Sequence, residues 1–341
     1  MNNLKRIIKD DNILCIVRNG MDKLAKRSII LLFTISLFLL AGCTKHQDNL
    51  HINKVGMIVE GSIDEEWNQK GYKGLEEIKN EFDVNVLYEE NIRTESETIA
   101  AVDQLIHNGA NLIFGHGNHY GRFFVDVAEE YPDVHFVYFN GGYFNDHVTS
   151  MNFNSYAMGF FGGMVASEMT ETKHVGIIAS YEWQPEIEGF YEGVKYQDST
   201  TKVHVNYVNK WNETAVSTAI YDEMQAEDVD VIYPTGETYS QDVIAQASKD
   251  GVYAIGYGAD QAISDDNEVL TSMVQHIDKL YLLAARKFNE QELEGGFMTF
   301  DFQDNVITLG DFSPDVPVEY QEYIAELVDK YAETNLLPHE D

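Results

Sequence analysis

From Lys54 onward, short apolar runs alternate with longer amphipathic stretches, and this rhythm limits what the chain can fold into. "KVGMIVE" is followed by "NQKGYKGLEEIKNEF", "VNVLYEE" by "ESETIAAVDQLIHNG", and "NLIFGHG" by "GRFFVDVAEEYPD". Brief apolar runs suit buried strands, and the longer stretches repeat at the helical period. A β-α-β-α-β order requires right-handed crossovers, which yield a parallel sheet covered by helices on both faces. After the strand "VHFVYFNG" a similar series restarts at "HVGIIAS" and continues through "KVHVNYV", "VDVIYPTG" and "VYAIGYG", with helices near 186–198 and 213–227. With 341 residues, 44% of them hydrophobic, the chain has material for two cores and two such sheets. The passage between them falls near "DHVTSMNFNSYAMGFFGGMVASEM", where "VTSMNF" leaves the first unit and a glycine-rich helix opens the second. Gly159, Gly162 and Gly163 lie among Phe160, Phe161 and Met164 on a helical pattern, so they predict close helix packing rather than a cofactor loop.

The N-terminus carries a separate signal. The basic "MDKLAKR" precedes the 13 residues Ser28 to Leu40, and "LAGC" then ends at Cys43. A run this short, closed by Ala41 and Gly42 before a cysteine, reads as a lipoprotein signal peptide with a lipobox rather than a membrane span. Residues 1–42 are therefore expected to be removed, with the true start at Met21, Cys43 lipidated, and residues 43–53 forming a polar tether. Cys15 falls in the removed segment, so the mature chain would have no disulfide and no cysteine metal site. The expected location is the extracytoplasmic face of the cell membrane, held by the lipid.

The formal charge is −34, and −38 once residues 1–42 are gone. Nucleic-acid binding rests mainly on cations that neutralise phosphates, so direct binding to DNA or RNA is not expected. The sequence has no G-x-S-x-G elbow, Walker A loop or G-x-G-x-x-G turn between a strand and a helix, and the adjacent acidic pairs read as solvated surface. No enzyme activity and no cofactor are expected. His116 and His119 are spaced loosely like metal ligands, but a zinc site needs further ligands that the sequence does not supply nearby; loop hydrogen bonding is the expectation, with no metal.

Ligands of parallel α/β units collect beyond the carboxyl ends of the strands. That rule selects Asp64, Trp67 and Asn68 after the first strand, Gly115 and His116 after the third, and Asn140 after the fourth. In the second unit it selects Tyr181 to Trp183, Gly236 with Glu237, and Gly258 in "YGAD", which ends at Asp260. In "GSIDEEWNQKGYKG", a bland reading makes Asp64 a helix N-cap, while a ligand-binding reading makes Trp67 a stacking wall. The two can coexist.

"DEEWNQKGYKGLEE", "GANLIFGHG", "VAEEYPDVHFVYFNG", "HVTSMNFNSYAMGFFGGMVAS" and "VYAIGYGADQ", followed by "VLTSMVQHIDKLY", give the chain a close resemblance to the basic membrane protein lipoproteins. That family consists of receptors with the type I periplasmic-binding-protein fold and includes purine nucleoside receptors of ABC transporters. The resemblance implies two lobes with a hinge crevice, residues 54–148 plus about 259–287 forming the first lobe and 149–258 plus about 288–341 the second. It also implies a small-molecule ligand, nucleoside-like or otherwise, and an ABC permease or a membrane signalling partner. Within the family the chain looks most like a lipoprotein classed as a positive regulator of competence. Nucleoside-binding members hold the ribose with two aspartates and use a lysine, at positions that are here Asn140, Gly258 and Gln275. Those changes predict weak nucleoside binding, and hence a sensory or regulatory role ahead of transport.

Overall fold

The computed structural model describes residues 51–236, 238–261 and 268–340. The expected leader, Cys15, Met21, the lipidation site Cys43 and Glu237 lie outside the described residues. Residues His51–Asp341 form a compact unit by themselves.

The first sheet is built from β1 (Lys54–Ile58), β2 (Asn85–Glu89), β3 (Leu112–Gly115), β4 (His135–Phe139), β5 (Val148–Phe153) and β11 (Gly296–Phe300). The helices α1 (Glu66–Phe82), α2 (Glu95–His107) and α3 (Tyr120–Ala128) connect its leading strands. The strand order is β11-β5-β4-β3-β1-β2, parallel throughout. The second sheet holds β6 (His174–Ala179), β7 (Lys202–Tyr207), β8 (Val231–Thr235), β9 (Tyr253–Gly258), β10 (Val269–Gln275) and β12 (Ile307–Leu309). Its order is β12-β10-β9-β8-β6-β7, with only β12 antiparallel to its neighbour. The helices α4 (Ser155–Met169), α5 (Pro185–Gln197), α6 (Thr214–Gln225), α7 (Tyr239–Asp250), α8 (Ile277–Asn289) and α9 (Val318–Thr334) complete the fold. It is the α/β architecture expected from the alternating runs.

Central strands such as β3, β4 and β8 are buried along their whole length, which is why they read as unbroken apolar runs. The edge strands β2 and β7 are only part-buried. Beneath α2 and α3, Val102, Leu105, Ile113, Phe124 and Phe136 form one core, and Tyr221, Met224, Ile232, Val243 and Ala254 form the corresponding core of the second sheet. α2 starts on a capping box, Thr94 accepting from the Glu97 N–H while Glu97 accepts from the Thr94 N–H.

The glycine-rich helix α4 packs against α5. A Cβ on Gly159 would stand 2.2 Å from the Glu186 carbonyl oxygen and one on Gly163 2.3 Å from that of Phe190, while Gly189 and Gly193 answer from α5 at 2.0 and 1.9 Å from the Tyr156 and Phe160 carbonyls. Gly162 faces the sheet instead, with Ile255, Met273 and Tyr233 at ordinary contact distance.

The expected lobe boundaries need correction at three strands. β5 joins the first sheet although 149 onward was expected in the second lobe; β10 joins the second sheet although 259–287 was expected in the first; β11 returns to the first sheet from within 288–341. A strand of five to seven residues carries no mark of the sheet that receives it, so sequence pattern does not address it. α8 does sit beside α1, where Arg286 grips Glu81 through two 2.6 Å hydrogen bonds.

Candidate functional site

The turn after β1 is pinned from several sides. The Ile63 N–H donates to Glu90 Oε1 at 2.6 Å, and the Ser62 carbonyl accepts from Asn68 Nδ2 at 2.8 Å. Asn68 is buried, so its amide serves this loop. The helix cap is Glu65, with no side-chain capping bond, rather than Asp64, which is exposed. Trp67 lies in the first turn of α1 and stacks on His116, ring centroids 4.7 Å apart at 28°.

His116 is the buried centre of this cluster. Its Nε2 meets the Trp67 carbonyl at 2.8 Å and its Nδ1 the Tyr281 hydroxyl at 2.9 Å. A carbonyl only accepts, so Nε2 carries the proton and Nδ1 receives the Tyr281 O–H. Burial, joined by the positive charge of Lys70 and opposed by the Trp67 bond, lowers the His116 pKa to about 4, so the ring is neutral at pH 7. Both nitrogens are engaged, which leaves His116 no lone pair for a metal. No group of three or more potential metal-binding side chains occurs among the described residues. Gly71 lets α1 lie against His116, since a Cβ there would come within 2.7 Å of the imidazole.

Across from α1, β9 ends at Gly258, whose φ of +76° favours glycine, and its carbonyl accepts from Lys70 Nζ at 3.3 Å. This bond ties an element of the first sheet to a strand end of the second. Asn140 also lies in the left-handed region, at φ +55°, exposed, with Oδ1 accepting from the Phe153 N–H at 3.4 Å. Gln275 is buried and its Nε2 contacts Met158 Sδ at 3.3 Å. Asp260 Oδ2 accepts from the Asp311 N–H at 3.0 Å, which anchors the strand-end loop.

Gly115 and Gly236 serve packing. Added Cβ atoms would come within 2.6 Å of Tyr120 and 2.0 Å of the Tyr239 ring. Trp183 lines a separate groove with Tyr191, Val205 and Tyr207, whose walls include none of the other expected residues.

Sequence reasoning missed Lys70, Tyr281, Tyr257 and Glu186. Lys70 was findable, since it follows Trp67 by three and so shares its helix face. Tyr257 donates to Glu186 Oε1 at 3.0 Å; Glu186 is buried, Oε2 has no partner among the described residues, and burial raises its pKa.

Residues 52–338 match the family described as ABC transporter substrate-binding protein PnrA-like, or Bmp. The chain belongs to this family. It is 42% identical over 311 residues to the transcriptional activator protein Med of Bacillus subtilis strain 168, covering 91% of this chain and 98% of Med. The crystal structure of a transcriptional activator of the comK gene from Bacillus halodurans superposes with a TM-score of 0.79 at 44% identity, covering 84% of this chain and all of that one. An ABC transporter solute-binding protein from Conexibacter woesei superposes at 0.67 with 19% identity, covering 83% and 97%, a likeness of fold.

Proposed function

We propose that the protein is a lipid-anchored, extracytoplasmic lipoprotein of the PnrA-like family that acts as a positive regulator of competence gene expression. The observation that carries this reading is the 42% identity spanning 98% of Med. The crevice chemistry supports it. Asn140 and Gln275 present neutral amides and Gly258 no side chain where nucleoside-binding relatives carry charged groups, and charge-assisted hydrogen bonds are roughly twice as strong as neutral ones. The acidity of the chain argues against direct contact with DNA, so the effect on transcription runs through a membrane partner. No catalytic step is assigned to it.

The test is complementation. Expressed in a Bacillus subtilis strain lacking med, the chain should restore a comK-promoter reporter, and Cys43→Ala should abolish that restoration by leaving the protein unanchored. A wild-type chain that is stably expressed yet fails to restore the reporter overturns the reading.

The alternative is the receptor of an ABC importer for a purine nucleoside or related solute, favoured by the family's description. Calorimetry separates the two. Inosine and guanosine should bind the unaltered protein weakly or not at all, and Asn140→Asp with Gly258→Asp and Gln275→Lys should recover affinity. Aspartate at the φ of Gly258 costs about 1 kcal/mol of backbone strain, so recovery will be partial. Submicromolar binding by the unaltered protein would move transport ahead.

A further inference from the structure

Outside the crevice, the first turns of α5 and the carboxyl end of β7 enclose a groove of about 480 Å³. Its walls are aromatic and exposed: Trp183 is 54% accessible, Tyr191 50% and Tyr207 38%. Such rings are costly to leave in water, and here they are held in place. Trp183 stacks on Tyr181 with centroids 5.4 Å apart at 14°, and Trp211 abuts both edge-on at 5.3 and 5.8 Å. The Trp183 indole is thus braced by Tyr181 while it lines the groove.

The charge of the groove has one sign. Glu182 and Glu188 stand in its walls, and none of the lining residues is a lysine or arginine. Two cations on these elements and the loop after β7 are engaged elsewhere: Lys195 donates to the Ser199 and Thr201 carbonyls at 3.2 and 2.5 Å, and Lys210 to Glu213 at 2.6 Å. Lys195 nevertheless rests 5.6 Å from the Tyr191 ring centroid, so the protein itself already places a cation against one of these rings. β7 is the outermost strand of its sheet, with a neighbour on one side only.

We propose that this groove docks an arginine-bearing extended segment of a partner protein. Guanidinium groups both stack on aromatic faces and fork onto carboxylates, and the groove offers both partners together. An extended segment alternates its side chains, so every second residue can reach the aromatic wall while the backbone follows the sheet edge. This goes beyond the regulatory reading and does not depend on a crevice ligand.

Calorimetry on the unit His51–Asp341 at low salt tests it with an acetylated, amidated pentapeptide, Arg-Thr-Arg-Thr-Arg, and its citrulline analogue, which keeps the shape and removes the charge. The arginine peptide should bind, and the citrulline peptide should bind at least tenfold more weakly. Trp183→Ala with Tyr191→Ala should weaken binding about tenfold. Glu182→Gln with Glu188→Gln should weaken it severalfold, while the equal charge change Glu129→Gln with Glu130→Gln should leave it unaltered. Thermal unfolding of each variant checks that these exposed substitutions preserve the fold. Equal binding by all variants, meaning general attraction to an acidic protein, overturns the proposal, as does no binding by the arginine peptide. It is overturned equally by a dimer of this unit that Trp183→Ala dissociates, or by heat from an N-acetylglucosamine disaccharide in place of the peptide.

Discussion

At the scale of single residues, two buried histidines set the acid behaviour of the fold. His116 and His135 are both lowered from 6.5 to about 4 by burial, His116 within the Trp67–Tyr281 cluster and His135 hydrogen-bonded to Thr149 at 2.7 Å. The unfolded chain takes up these protons first as pH falls, so the folded state loses stability between pH 6.5 and about 4 and loses none above that window. Each histidine accounts for about 3 kcal/mol across it. Denaturant unfolding of His116→Gln should therefore show a shallower decline from pH 6.5 to 4 than the parent protein. Glu186 works in the opposite direction, since burial raises its pKa and the folded state holds its proton more tightly. Its contribution is complete below the unfolded carboxyl pKa of about 4.5 and is lost as pH rises through the folded value. Glu186→Gln, which keeps the shape without the charge, should raise the melting temperature more at pH 8 than at pH 4. Equal shifts at both would show that the carboxyl is not desolvated.

At the scale of elements, the α4–α5 contact is where one methyl group decides stability. Gly193→Ala would drive a carbon into the Phe160 carbonyl, 1.9 Å away, and should cost about 3 kcal/mol, the upper part of the usual overpacking range. Gly162→Ala, on the same helix pair but with its nearest neighbour at 3.6 Å, should stabilise by up to about 1 kcal/mol through helix propensity. Opposite signs in the two melting curves would confirm that backbone contact, rather than loop flexibility, is the purpose of the glycines. At the start of α2, Thr94→Ala should cost about 1 kcal/mol by removing the capping hydroxyl. The glycine cluster was readable because aromatic residues flank it at helical spacing. The capping box was also present in "TESE", Thr94 to Glu97. What the helix pattern did not reveal was that Gly162 points away from α5, because the partner's direction is absent from it.

At the scale of the whole molecule, the Lys70 bond to the Gly258 carbonyl joins the two sheets across the candidate crevice. Lys70→Met should let them part further, read as a larger radius of gyration in solution scattering and faster amide exchange at 256–258. Unchanged scattering and exchange would show that the crossing segments alone hold the two halves. The strand ends themselves were legible, since His116, Asn140, Gly258 and Gln275 lie at or directly after carboxyl ends of strands, while Asp64 precedes the helix that holds Asn68. Their present duties were not. Asn68 pins its own turn, His116 ties Trp67 to Tyr281, and Trp183 faces a groove of its own.

By itself, the sequence determined the alternating elements, the parallel α/β class and the loops that carry polar residues, because period and turn chemistry are local properties of the chain. The expectation of a lipidated Cys43 rests on sequence alone. Tertiary structure decided which sheet receives β5, β10 and β11, and that His116 meets Tyr281 across 165 residues. Those choices depend on the shape and charge of surfaces that exist only after distant segments have packed, so no window along the chain contains them.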